Sequence, residues 1–89
     1  MDKELDANQI RGMTNDVTLL DARGLLCPLP VLKARKRLSG LANGDVLKVL
    51  ADDPAAVIDF PHFCTEAGHS LIETGAEEAA QVYFIRKGG

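Results

Sequence analysis

The sequence predicts an α+β fold: a two-layer α/β sandwich of order βαβαββ, with a four-stranded mixed sheet carrying two helices on one face. Three observations predict it. Short apolar runs of strand character alternate with stretches whose apolar residues recur at helical spacing. Compact Gly, Pro, Asn and Asp signals separate them. Finally, 89 residues with no Trp, one Tyr and three Phe make one small domain with a mainly aliphatic core.

Residues 1–16, MDKELDANQIRGMTND, are polar and mixed in charge, and are expected to form a flexible tail ahead of a domain spanning 17–89. They hold no apolar stretch able to act as a signal or membrane segment. Val17, Leu19 and Leu20 read as the first strand, and Asp21 to Gly24 as the loop leaving it. Pro28 suits a first helical position, where its fixed φ fits and its missing N–H costs nothing, so Cys27 is expected at the N-cap. The helix runs to about Ser39, with Val31, Ala34, Leu38 and Leu41 on one stripe. Ser39-Gly40 and Asn43-Gly44 stop it and turn the chain.

Asp45 to Ala51 is almost continuously apolar, as expected of a central strand. Asp52-Asp53-Pro54 then opens a second helix, with Asp53 as N-cap and Pro54 at the first helical position. Val57, Phe60, Cys64 and Ala67 share its expected core face, Pro61 predicts a kink or restart near Asp59, and Gly68 closes it. Leu71, Ile72 and Thr74 read as a third strand, Gly75 to Ala79 as a turn, and Val82 to Ile85 as a fourth strand. Right-handed crossovers would place both helices on the same face, while the strand order stays open.

A net charge of −3 and a pI near 5.2 argue against direct nucleic-acid or membrane-surface binding. The two cysteines form no Cys-x-x-Cys pair and no metal-ligand cluster, so no metal is expected. A lightly cysteinyl acidic chain of this kind suits a reducing, cytoplasmic setting.

The chemistry points to Cys27. At a helix mouth, open backbone N–H groups and the positive end of the macrodipole favour thiolate over thiol, and the thiolate is the nucleophile. Pro28 and Pro30 remove two of the usual donors, leaving Leu29 and Val31 to supply them, so only modest activation is expected. Arg23, four residues earlier, is the one cation nearby in sequence. A thiol between a glycine loop and a helix-starting proline is poorly placed for a core position. Cys64, within Phe60 to Cys64, reads instead as a small buried hydrophobe.

Lys33, Arg35, Lys36 and Arg37 form a basic run, and Leu29 and Leu32 leave the core stripe on the side of Lys33 and Lys36. An apolar and basic surface beside a reactive thiol reads as a docking face made by Leu29, Leu32, Lys33, Arg35 and Lys36. Asp53 has helix capping as its first role and a partner contact as its second. His62 and His69 read as solvent-exposed residues without a catalytic partner in their segment.

The run Leu20 to Pro30 contains Cys27-Pro28-Leu29-Pro30 and resembles the Cys-Pro-x-Pro signature of the TusA-like, or SirA-like, sulfur carriers. Ala51 to Pro54, Asp59 to Cys64, Gly68-His69 and the ending Ile85 to Gly89 extend the resemblance over about 17–89. It implies a βαβαββ sandwich and a sulfurtransferase that carries sulfur as a persulfide on Cys27, with no cofactor beyond that covalent sulfur. It also implies partners: a cysteine desulfurase or other sulfur donor protein, and an acceptor such as a sulfur-relay or tRNA-thiolation protein. Other branches of the family serve sulfur oxidation, molybdenum-cofactor enzymes or selenium metabolism. Leu29 stands where a Glu is often found, which bears on partner choice, and Leu26 where a basic residue often precedes the cysteine.

Three other readings compete. The ending Gly88-Gly89 is shared with ubiquitin-like carriers that use a C-terminal thiocarboxylate, although their β-grasp order begins with a hairpin. A thiol redox protein could use Cys27 as an oxidisable centre but shows no resolving cysteine. A protein-binding module would leave Cys27 incidental.

Overall fold

The computed structural model describes residues 17–88; the expected tail at 1–16 lies outside the described residues, as does Gly89. Six elements follow in the expected order: β1 Val17–Asp21, α1 Leu29–Ser39, β2 Val46–Ala51, α2 Ala56–Ala67, β3 Ser70–Glu77 and β4 Ala80–Arg86. They build one mixed sheet of order β1-β2-β4-β3. β1 and β2 are parallel, with Val17 opposite Val46 and Asp21 opposite Leu50, whereas β4 runs antiparallel to both β2 and β3. The β3–β4 hairpin thus inserts its second strand between β2 and β3. The fold class is the α+β sandwich expected, and the open strand order is now settled.

One face of the sheet makes the core. On β2, Leu47, Val49 and Ala51 alternate inward, as the period of two requires, and meet Leu20, Tyr83 and Ile85 from the neighbouring strands. Ala34 and Leu38 of α1 and Ala56, Phe60, Phe63 and Cys64 of α2 close over them in a single cluster. Both helices therefore lie on the same face. Phe60, fully buried, stacks on Tyr83 with ring centroids 4.7 Å apart, tying α2 to the sheet. On the opposite face Lys48 pairs with Glu77 at 2.7 Å and lies over the Phe84 ring.

Several local expectations are corrected. The N-cap of α1 is Pro28, with Pro30 in the first turn, and Cys27 stands one residue outside, joined to Pro28 by a cis peptide bond. α2 begins at Ala56 with Ala55 as its N-cap, because Asp53 and Pro54 form a separate lead-in turn. In that turn Asp53 Oδ1 accepts from Ala55 N at 3.1 Å, so the aspartate caps the turn rather than the helix.

Pro61 does not break α2, which runs unbroken from Ala56 to Ala67. The carbonyl that Pro61 leaves without its usual donor belongs to Val57, in the first turn, where solvent reaches it. Val57 itself is exposed, and Phe63 takes the core place assigned to it. Residues 75–77, expected in a turn, continue β3, whose register shifts between Leu71 and Glu73. The period-two signal is lost there because almost every β3 side chain is exposed. Gly68, at φ +82°, ends α2 in the left-handed conformation that glycine tolerates, and both its N–H and that of His69 donate to Cys64 O.

Candidate functional site at Cys27

The parallel pairing of β1 and β2 fixes the site. Their C-terminal ends lie side by side, and Ala22 N donating to Leu50 O extends the ladder one residue further. The loop after β1, which carries Cys27, therefore runs beside the loop after β2, which carries Asp52 and Asp53. Backbone N–H groups of the first loop are taken up by carboxylates of the second. Gly24 N donates to Asp52 Oδ1 at 3.0 Å, and Cys27 N donates to Asp53 Oδ2. Gly24, at φ +83°, makes the turn that aims its N–H this way.

The thiol of Cys27 is exposed and lies at one end of a groove of about 290 Å³ between the two helices. Val31 and Arg35 line it from α1, and Asp59, His62, Phe63 and Glu66 from α2. Arg35 sits over the Phe63 ring, 5.3 Å from its centroid. The Sγ–H donates to Asp59 Oδ2 at 2.9 Å.

That contact reverses the expected direction of tuning. The hydrogen bond to Asp59, first, and then burial and the negative charges of Asp59 and Asp53, hold the Cys27 thiol above its ordinary pKa. Most donors at the helix mouth are engaged or absent. Leu29 N already donates to Leu26 O, and Leu32 N to Pro28 O, while Pro30 has no N–H. Arg23 does not help either: its guanidinium grips both carboxylate oxygens of Asp21 at 2.9 and 2.8 Å. Those bonds hold the Asp21 carboxyl down to about 2. The rate of Cys27 alkylation by iodoacetamide is therefore expected to climb still beyond the ordinary thiol pKa of about 8.5. A plateau below neutral pH, as a strongly activated thiol gives, would contradict this geometry.

Cys64 is where the sequence placed it, buried on the core face, and burial pushes its thiol up to about 11. The predicted docking residues divide into two groups. Leu29 and Leu32 are each about half exposed, and Arg35 faces the Cys27 groove. Lys33 and Lys36 instead line a second groove of about 380 Å³ with Leu20, Arg37 and Leu41. His62 is exposed as expected, with Glu66 3.9 Å away; His69 is partly buried, and its Nδ1 accepts from Gly88 N. Sequence reasoning missed Asp52 and Asp59 as neighbours of the thiol loop. It also missed Leu26 and Ile58, at 70% and 75% exposure the most exposed large apolar side chains among the described residues, which flank Cys27 and Asp59 in the chain.

Among the described residues no cluster of His, Cys, Asp and Glu could hold a metal ion, and no helix is long and apolar enough to cross a membrane. The described residues form a small α+β sandwich that presents one exposed thiol, Cys27, beside a helix start and keeps the other, Cys64, buried. The family model for sulfurtransferase TusA matches residues 18–87. The sulfur carrier protein TusA of Pseudomonas aeruginosa is 45% identical over 76 residues, covering 84% of this chain and 96% of that protein. Its counterpart in Allochromatium vinosum is 46% identical over 68 residues, covering 76% and 88%. The crystal structure of a SirA-like protein from Desulfitobacterium hafniense superimposes with a TM-score of 0.70 at 27% identity, covering 82% of this chain and 99% of that one. The chain belongs to the TusA family.

Proposed function

We propose that this protein is a sulfur carrier: Cys27 accepts sulfane sulfur as a persulfide from a donor protein and relays it to an acceptor. The exposed Cys27 thiol, positioned by two carboxylate-braced loops, is the observation that carries the reading. A carrier needs one accessible sulfur and no resolving thiol, since a neighbour would discharge the persulfide as a disulfide. Cys64 meets that need by being buried in the core. Family membership supports the same role and supplies its chemistry, sulfur transfer without a bound cofactor. A cysteine desulfurase is the natural donor class, and a sulfur-relay or tRNA-thiolation protein the natural acceptor. Two unpaired cysteines suit the reducing cytoplasm for this work.

The geometry supports the rival readings less well. A thiol held above its ordinary pKa is a poor peroxide sensor, because susceptibility to oxidation follows thiolate character. A C-terminal thiocarboxylate carrier would begin with a hairpin, whereas this chain passes from β1 directly into α1. The deciding experiment is intact and peptide mass after incubation with a desulfurase and cysteine. A gain of one sulfur on the Cys27 peptide is expected; sulfur at the C-terminus or on Cys64 would overturn the reading.

Donor docking is proposed to use the surface around the thiol, with Pro28 and Pro30 stiffening the loop and Leu29, Leu32, Lys33, Arg35, Lys36 and Asp53 contributing contacts. Leu32→Asp and Arg35→Glu are each expected to slow sulfur transfer from the donor protein. Neither should block reaction of Cys27 with a small alkylating reagent. Salt should mimic Arg35→Glu but not Leu32→Asp, because it screens only the charge component. Parental transfer rates in both variants would place the docking surface elsewhere.

A further inference from the structure

Four aspartates surround or approach the two loops of the site, and three of them have structural tasks. Asp21 binds Arg23, Asp52 accepts from Gly24 N, and Asp53 accepts from the N–H groups of Cys27 and Ala55. Asp59 differs. Among the described residues its carboxylate accepts from one donor, the thiol of Cys27 at 2.9 Å. It braces no backbone, lies half-buried in the wall of the groove, and touches the atom on which sulfur is to be carried.

Resting on the carrier reading, we propose that Asp59 is a catalytic residue, the proton carrier for Cys27 during sulfur transfer. The chemical need is specific. At neutral pH the resting Cys27 is a thiol, but the attacking species must be a thiolate. An incoming persulfide is more acidic than a thiol and arrives with its terminal sulfur anionic, a poor target for a second anion. Moving one proton from Cys27 to that terminal sulfur corrects both defects. Asp59 takes the proton from Sγ and hands it to the donor's terminal sulfur. The pair Cys27–SH and R–S–S⁻ becomes Cys27–S⁻ and R–S–SH.

Sγ then attacks the terminal sulfur, forming the new S–S bond and breaking the donor's S–S bond. The products are Cys27–S–SH and R–S⁻. One proton, one sulfane sulfur and one negative charge are conserved, and no external oxidant or reductant enters. Discharge to an acceptor thiol runs the steps in reverse, with Asp59 returning a proton to Sγ as it leaves.

The remaining charges facing the thiol have other positions. Arg35 comes from α1, over Phe63; His62 and Glu66 come from α2, further along the groove; and Asp53, from the loop after β2, has its carboxylate engaged by backbone N–H groups. Asp59 alone among them is in hydrogen-bond contact with Sγ.

The test uses glutathione persulfide, a donor too small to depend on protein docking, and follows sulfur on Cys27 by mass spectrometry. Asp59→Asn keeps the side-chain shape and removes the proton acceptor. Sulfur uptake at neutral pH is expected to fall by on the order of 10²-fold. In the same variant, alkylation of Cys27 by iodoacetamide should shift to lower pH and become faster, because the negative neighbour is gone. Asp59→Glu, which restores a carboxylate on a longer arm, should recover much of the uptake.

A residue that only braced the loop would change both reactions in the same direction. Undiminished uptake in Asp59→Asn, or loss of alkylation together with uptake, would overturn the proposal. Failure of the unaltered protein to take sulfur on Cys27 would instead overturn the carrier reading beneath it.

Discussion

Cys27→Ser is expected to abolish sulfur loading, while Cys64→Ser leaves it largely intact. The two positions differ in access, not in kind of atom. Cys27 is exposed at the groove between the helices, whereas Cys64 is 3% exposed among Phe60, Phe63 and the sheet. A serine hydroxyl at 27 retains the shape and can still donate to Asp59, yet it offers no sulfur to hold a sulfane atom. At 64 the substitution has a different cost: a hydroxyl enters an apolar site with the penalty of a poorly compensated buried polar group, about 1–3 kcal/mol. Cys64→Ser should therefore load at close to the parental extent while melting earlier. Mass spectrometry of both variants after incubation with the sulfur donor gives the loading, and thermal unfolding gives the stability. Persulfide on Cys64 in the Cys27→Ser protein would overturn the assignment.

Phe60→Ala is expected to be the most destabilising single change in the core, by about 3–5 kcal/mol. Phe60 is fully buried and stacks on Tyr83, so the substitution deletes the ring that joins α2 to β4. Small domains have about 5–15 kcal/mol of stability altogether, so much of the molecule's reserve is removed. Urea unfolding should show a lower midpoint with a similar slope. The site should suffer as well, because Asp59 precedes Phe60 on the same helical turn, and loosening α2 releases the carboxylate from the thiol. Cys27 alkylation in the folded variant should then move toward that of an ordinary thiol. A loss of under 1 kcal/mol would mean that α2 and the sheet close together to refill the space.

Most of the fold was legible because local signals agree with the tertiary arrangement. The apolar run of β2, the proline and glycine punctuation around α1, and the Gly68 stop each describe an element that the structure contains. The errors fall where side-chain pattern stops reporting environment. β3 is exposed along most of its length, so its last residues looked like a turn, and Val57 was assigned to the core although α2 is rotated to bury Phe63. The exposed thiol of Cys27 was visible from its flanking Gly24, Pro28 and Pro30. Its acidity was not. The sign of that shift depends on Asp53 and Asp59, which no spacing rule links to Cys27. The link comes from β1 and β2 being parallel neighbours, so that both following loops leave the same edge of the sheet. The missing hint was the Asp52-Asp53 pair at the end of the central strand, read only as a helix start.

That same adjacency makes the character of the sulfur a property of the finished molecule. The residues that hold the Cys27 thiol protonated lie 26 and 32 positions further along the chain. During synthesis, Cys27 leaves the ribosome before Asp53 and Asp59 exist to meet it. The nascent segment then carries a thiol of ordinary acidity, open to oxidants and to stray sulfur donors. Once the second crossover packs α2 against α1, the thiol becomes less acidic and the groove forms around it. Completion of folding thus lowers the acidity of the thiol and builds the groove around it in one event. A chain arrested after β2 would possess the Cys27 thiol without the carboxylate that restrains it.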